Sequence, residues 1–251
     1  MSSFPFLDHP GPIPFAHRGG ASEAPENTLP AFEHAVGLGF RYLETDVHAT
    51  ADGVLIAFHD DRLDRVTDRA GTIEQLTWAE VARARVDGRE PIPLLEDVLG
   101  AWPDVRVNID PKSDAAVEPL VEVLRRTASV DRVCVGSFSD ERIDRVRDAI
   151  GPHLCTGMGP EELVGLIRAF QGETVTFRSQ AAQIPRTDPK GRPLATPELI
   201  EVAHRHGIAV HVWTIDDSAE MHELLDLGVD GIMTDRPAVL RTVFEDRGIW
   251  H

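Results

Sequence analysis

A chain of 251 residues with 42% hydrophobic content can bury a sizeable core, and no stretch approaches the roughly 20 apolar residues that span a bilayer, so no stable membrane insertion is expected. The formal net charge of −17 opposes contact with nucleic acid phosphates or anionic lipid surfaces, and an anionic substrate would need a local basic pocket or a metal. Cys134 and Cys155, the only two cysteines, both fall in apolar, strand-like segments and read as buried thiols, not as a disulfide framework.

The opening MSSFPFLDHPGPIPF has neither a basic n-region nor an uninterrupted apolar core, so it does not read as a secretory signal, and a cytoplasmic location is expected. Ile13 to His17 is a short apolar run entering a histidine, a first strand. After the loop RGGASEAPENT, Thr28 caps a helix with Leu29, Phe32 and Val36 at i, i+3 and i+7, and Gly37 and Gly39 end it. Tyr42 to Asp60 then reads as a buried strand, a turn at Asp52-Gly53 and a second extended segment that delivers His59-Asp60 back towards the first. Residues i and i+2 of a strand share a face. Glu44 and Asp46 therefore point one way and Leu43, Thr45 and Val47 the other. An unpaired buried carboxylate costs several kcal/mol or takes up a proton, so this pair implies a bound cation or a facing Lys or Arg. His48, two residues after Asp46, fits an approach to that cation or, better, a turn position.

The polar stretch 61–102 is too long for a plain connection. It holds two short helical patterns, about Trp78 to Ala84 and Leu94 to Ala101, and reads as a small insertion over the mouth of the site. Val105 to Asp110 is the next strand. Ser113 or Asp114 caps a helix carrying Val117, Leu120, Val121 and Leu124, RVCVGSF is a strand, and Ser139 caps the helix from Asp140 to Ile150. HLCTGM is a weak strand before the helix EELVGLIRAF. Thr174 to Ser179 reads as a sixth strand, followed by a polar loop with three prolines from Gln180 to Ala195. Thr196-Pro197-Glu198 is a strong helix start. IAVHVWTI is a clear strand, Asp217 or Ser218 opens another helix, and VDGIMTD precedes a last helix from about Pro237 to Glu245. Roughly eight strands alternate with helices and no linker divides the chain, which favours one α/β domain over 1–251, a single (β/α)8 TIM barrel, over a doubly wound open sheet.

Barrel enzymes place their chemistry at the C-terminal ends of strands, where His17, Glu44, Asp46, Asp110, Lys112 and Trp213 all fall. The oxygen ligands Glu44, Asp46 and Asp110 suit Mg²⁺, Ca²⁺ or Mn²⁺ better than Zn²⁺. Asp110 alone would also serve as a helix N-cap. Arg18 offers a planar fork for phosphate oxygens and Lys112 a point charge. With His17 and His59 as proton-transfer groups, one deprotonating the nucleophile and the other protonating the leaving oxygen, these residues describe a phosphoester pocket. Trp213 fits either a core position or a wall of the site, His211 fits a satisfied interior position, and the helix-borne His34, His204, His206 and His222 fit solvent-facing ones.

These residues lie in a series of motifs: AHRGG at Ala16 to Gly20, APENT at Ala24 to Thr28, LETDVHATADG at Leu43 to Gly53, AFHD at Ala57 to Asp60, IPLLEDVL at Ile92 to Leu99, NIDPK at Asn108 to Lys112, VWTID at Val212 to Asp216 and GIMTDRP at Gly231 to Pro237. In this order and over nearly the whole chain, the series resembles the glycerophosphodiester phosphodiesterases. The resemblance implies a barrel that hydrolyses small glycerophosphodiesters to glycerol 3-phosphate and an alcohol. It implies one divalent metal ion, Mg²⁺ or Ca²⁺, at Glu44, Asp46 and Asp110, with His17 and His59 as the acid/base pair and Trp213 as a substrate wall. Two departures stand out: Asp110 where the family usually has Glu, and Asp216 where an amide is usual. Two other readings share the site: a lysophospholipase D-type lipid phosphodiesterase, and a phosphodiester-binding barrel without turnover.

Overall fold

The structure, a computed structural model, describes residues 4–251; Met1 to Ser3, part of the opening segment read as no secretory signal, lie outside the described residues. Eight parallel strands run β1 (Ile13–Ala16), β2 (Tyr42–Ala49), β3 (Arg106–Pro111), β4 (Val133–Val135), β5 (Cys155–Thr156), β6 (Ala181–Pro185), β7 (Ala209–Trp213) and β8 (Gly231–Thr234). Their order in the sheet is β5-β4-β3-β2-β1-β8-β7-β6. A parallel bridge between Gly157 and Ala181 joins β5 to β6, where the Met158 N–H donates to the Ala181 carbonyl at 2.8 Å and the Gln180 N–H to the Thr156 carbonyl at 3.0 Å. The alternation has closed into a (β/α)8 barrel, with helices α1 (Leu29–Gly37), α2 (Leu95–Ala101), α3 (Val117–Arg126), α4 (Asp140–Ile150), α5 (Pro160–Phe170), α6 (Pro197–Arg205), α7 (Ser218–Leu227) and α8 (Pro237–Asp246). Among the described residues no helix is long and apolar enough to cross a membrane.

Local chemistry sets the helix starts. The side chains of Thr28, Ser139, Thr196 and Asp217 accept the backbone N–H groups of Ala31, Arg142, Leu199 and Glu220, each cap being worth about 1 kcal/mol. Between strands and helices, Phe32, Ala35, Val210, Val212, Ile232, Leu240 and Phe244 pack in one apolar layer. Inside the barrel, Phe6, Phe15, Tyr42, Cys134, Cys155 and Met233 form a second. The Tyr42 hydroxyl donates to the Phe6 carbonyl at 2.8 Å, which fixes the N-terminal segment across this end. His211 is fully buried in the same interior and held near a pKa of about 4 by that burial. It is not satisfied there: Nε2 has no partner, and Nδ1 stands 3.4 Å from Gln183 Nε2.

The strand expected before α6 needs correction. The sixth strand is Ala181–Pro185, inside the stretch read as a loop, while Thr174 to Ser179 forms no strand. Val175 and Phe177 alternate as strand residues do, yet they cover Gly165 on α5 from outside the barrel. In β6, Ala182 and Ile184 join the apolar layer beneath the helices, while Gln183 reaches the interior and donates to Asn108 Oδ1 at 2.8 Å. A polar interior residue and a terminal proline removed the usual apolar signature of a buried strand. The stretch 61–102 also divides. Its earlier part joins the Leu55–Ala57 strand, which pairs antiparallel with β2, around a small core of Ile56, Phe58, Leu63, Ile73, Val81 and Ile92. Its last part is α2, whose Leu95 and Leu99 pack on Val107 and Ile109 as the barrel's own second helix.

Candidate active site

Strand register builds the site. β2 and β3 pair so that Glu44 lies beside Asn108 and Asp46 beside Asp110, which puts carboxylates at one level on neighbouring strands. The residues singled out in the sequence, His17, Arg18, Glu44, Asp46, His59, Asp110, Lys112 and Trp213, all line one cavity of about 270 Å³. Asp110 belongs to β3 and caps no helix. One wall of the cavity is charged. Phe138, Met158, Pro160, Leu163 and Trp213 make an apolar wall, in which Phe138 meets Trp213 edge to face at 5.9 Å.

The carboxylates are held in different ways. Asp46 is 2% exposed and takes Lys112 Nζ at 2.9 Å on one oxygen and Arg18 Nε at 3.1 Å on the other. Burial would raise its pKa, but Lys112 and Arg18 outweigh it and hold the carboxyl below its ordinary value. Lys112 also reaches Asp110 Oδ2 at 2.7 Å, and its own pKa is raised: burial alone would lower it, but Asp46 and Asp110 prevail. Asp110 is raised, chiefly by burial. Glu44 accepts the Arg18 backbone N–H at 3.1 Å and is pushed up to about 7, first by burial and then by Asp46. That N–H is aimed by an unusual backbone, since Arg18 has φ of 51°, in the left-handed region. Among the described residues no group of three His, Cys, Asp or Glu side chains is arranged to hold a metal ion as it stands, and Lys112 bridges Asp46 and Asp110.

Each histidine has a carboxylate behind it. His17 Nδ1 donates to Asp235 Oδ1 at 2.6 Å, leaving Nε2 3.7 Å from Glu44. Burial lowers the His17 pKa, but Glu44 and Asp235 together raise it above the ordinary histidine value. His59 Nδ1 donates to Asp60 Oδ1 at 2.6 Å. A carboxylate on Nδ1 fixes the tautomer and ring orientation and frees Nε2 for proton transfer.

Supporting residues complete the site, and of these Asp235 and Asn27 had no role assigned from the sequence. Asp235 follows β8 directly, and its position at a strand's C-terminal end was the available signal. Asp216, the departure in the VWTID motif, accepts the Thr234 hydroxyl and the Asp235 N–H, both at 2.8 Å, and so shapes the turn that presents Asp235. Asn27 donates to Asp46 at 3.3 Å and accepts the Thr45 hydroxyl at 2.7 Å. His48 is a buried residue of β2, not a turn residue, and its Nε2 donates to the His59 carbonyl at 3.0 Å.

Two histidine–aspartate pairs, three carboxylates and two basic side chains thus converge on one pocket, groups suited to proton transfer beside a charged phosphoryl centre. A profile of the Glycerophosphoryl diester phosphodiesterase family matches residues 17–155 and 159–239, and the chain belongs to that family. It is 40% identical over 252 aligned residues to "Probable glycerophosphodiester phosphodiesterase 2" of Mycobacterium tuberculosis, covering 98% of this chain and 95% of that protein. It is 31% identical to the glycerophosphodiester phosphodiesterase of Caldanaerobacter subterraneus, over 90% and 94% of the two chains. Among solved structures, the glycerophosphodiester phosphodiesterase of Agrobacterium tumefaciens superposes with a TM-score of 0.76 at 26% identity, over 92% and 99% of the two chains.

The raised carboxyl of Glu44 gives a prediction with a definite sign. A group whose pKa is higher folded than unfolded stabilises the fold at low pH, and that contribution is lost as pH rises through the folded value. Wild-type protein therefore loses stability through Glu44 as pH rises from near 4.5 to about 7, while Glu44→Gln, neutral throughout, does not. Urea unfolding of chelator-treated protein at about pH 5 and about pH 8 should show the variant gaining on wild type at the higher pH. An equal difference at both would show that Glu44 ionises freely.

Proposed function

We propose that this protein hydrolyses glycerophosphodiesters to glycerol 3-phosphate and an alcohol in the cavity between His17 and His59, with one divalent cation, Mg²⁺ or Ca²⁺, at Glu44, Asp46 and Asp110. The observation that carries the reading is the pair of histidines, each oriented by a carboxylate and both lining one pocket with basic groups. The cation fits the donor set. A buried carboxyl pushed up to about 7 marks a site short of positive charge, and its neighbours are hard oxygen donors. When bound, the cation would polarise the phosphoryl oxygens as a Lewis acid.

The chain's own groups do the rest. The C2 hydroxyl of the substrate's glycerol lies next to the phosphoryl group and has an entropic advantage over free water. One histidine, through its free Nε2, takes the proton from this hydroxyl as its oxygen forms a bond to phosphorus. The other donates a proton to the alcohol oxygen as its bond to phosphorus breaks. A cyclic glycerol phosphate results, and water opens it with the proton roles reversed. Arg18 and Lys112 offset charge on the phosphoryl oxygens. Trp213 and Phe138 wall the alcohol side.

In a turnover assay with glycerophosphocholine, excess chelator should abolish activity. His17→Ala and His59→Ala should each lower kcat by about 10²-fold or more, the scale of a positioned proton-transfer group. Near-normal turnover in either variant removes that histidine from the mechanism. Replacing the substrate by its 2-deoxy analogue should stop the reaction, and ³¹P NMR should reveal the cyclic phosphate. Equal rates with no cyclic species would establish direct attack by water.

The apolar wall favours a second reading on the same site, cleavage of lysophospholipids in the manner of a lysophospholipase D. Phe138 is 69% exposed at the cavity, and beyond Leu163 on α5 the side chains of Val164, Ile167 and Phe170 are also exposed. A panel of glycerophosphocholine, glycerophosphoethanolamine and lysophosphatidylcholine separates the two. The leading reading expects the highest kcat/KM on the small diesters, and a preference for the lysophospholipid would reverse it.

A further inference from the structure

We infer that Arg65, which stands outside the cavity, is a positioning residue that locks the two arms of the active site together. Its guanidinium fork grips two carboxylates at once. Nε and Nη2 donate to the two oxygens of Asp60 at 2.5 and 3.0 Å, while Nη1 and Nη2 donate to the two oxygens of Glu26 at 2.9 and 2.7 Å. Each carboxylate also bonds a group of the site. Asp60 Oδ1 takes the His59 Nδ1 proton at 2.6 Å, and Glu26 Oε1 takes Arg18 Nη1 at 3.2 Å. A continuous hydrogen-bonded chain therefore runs from His59 through Asp60, Arg65 and Glu26 to Arg18, whose Nε forms an ion pair with Asp46. It ties the loop after β1 to the loop that carries His59.

The chemistry of the fork makes the residue specific. Lysine would bring the same charge, but not a planar set of donors matched to two oxygens on each of two partners. Stability is not the main return, because exposed ion pairs contribute about 0–1 kcal/mol and the Arg65 side chain is 47% exposed. Orientation is. A displacement of about 1 Å in a catalytic group can cost on the order of 10²-fold in rate, and Asp60 is what sets the His59 ring.

This inference rests on the proposed role of His59, and the experiment keeps the two apart. Steady-state kinetics and thermal unfolding would be measured for wild type, Arg65→Gln, Asp60→Asn, their double variant, His59→Ala, and Arg62→Gln as a control. Arg62 lies in the same loop but bonds Asp64 and Thr72. Arg65→Gln should lower kcat about tenfold or more with KM changed less than about twofold. The double variant should fall by less than the product of the two single losses, because Arg65 acts on His59 through Asp60. Arg62→Gln should keep the wild-type kcat. If Arg65→Gln does not fold, Arg65→Lys carries the same expectation. A folded Arg65 variant with wild-type kcat, losses that multiply in the double variant, or failure of both Arg65 variants to fold would each overturn the inference. Full turnover by His59→Ala would remove the reading of His59 itself, whereas an inactive His59→Ala beside a fully active Arg65→Gln would remove only the role of Arg65.

Discussion

The structure depends on keeping Asp46 ionised where almost no water reaches it. A carboxylate in that position is tolerated only with charge and hydrogen bonds on both oxygens. Lys112 arrives from the turn after β3 and Arg18 from the turn after β1, so the strands on either side of β2 each contribute a cation to it. Parallel register is what allows this. Pairing of β2 with β3 sets Asp46 beside Asp110, and one lysine then serves two acids. Glu44, two residues earlier on the same face, receives only a backbone N–H and a more distant imidazole, and the difference shows in its raised pKa. Two acids on one strand face thus have opposite electrostatic fates.

That contrast also explains why the basic residues of the pocket are occupied. The sequence reading assigned Arg18 and Lys112 to phosphate, yet in the structure Arg18 pairs with Asp46 and Glu26 and Lys112 with Asp46 and Asp110. Both cations are therefore engaged by carboxylates before any ligand arrives, and Glu44 has none of its own. An incoming phosphodiester must share these cations with the carboxylates. Recognition in such a pocket is redistribution of existing pairings as well as capture by free charge.

How much of this was legible in the sequence follows from the range over which each interaction acts. The shared face of Glu44 and Asp46 is a property of period two and was read from five consecutive letters. The caps at Thr28, Ser139 and Thr196 are equally local. His48 obeys the same period-two rule as its neighbours, but the turn residues at Asp52-Gly53 drew it towards a loop assignment. Strand β6 was missed because its interior residue is Gln183, whose value lies in a hydrogen bond to Asn108, and Asn108 is 75 positions away. Asp235 meets His17 across 218 positions, and Arg65 meets Glu26 across 39. Local sequence carries no trace of such distances, and closure of the barrel supplies them.

The closed inner end of the barrel has its own consequence. Phe6, Phe15 and Tyr42 fill the interior below Met233, which lines the cavity, and the Tyr42 hydroxyl pins the N-terminal segment there. The cavity is therefore a cul-de-sac. Entry and exit use the same doorway, bordered by the charged wall on one side and Phe138 on the other. Traffic through a single doorway is sequential: a product that lingers against the charged wall excludes the next diester from the same place, and departure becomes a step in the cycle as real as bond cleavage.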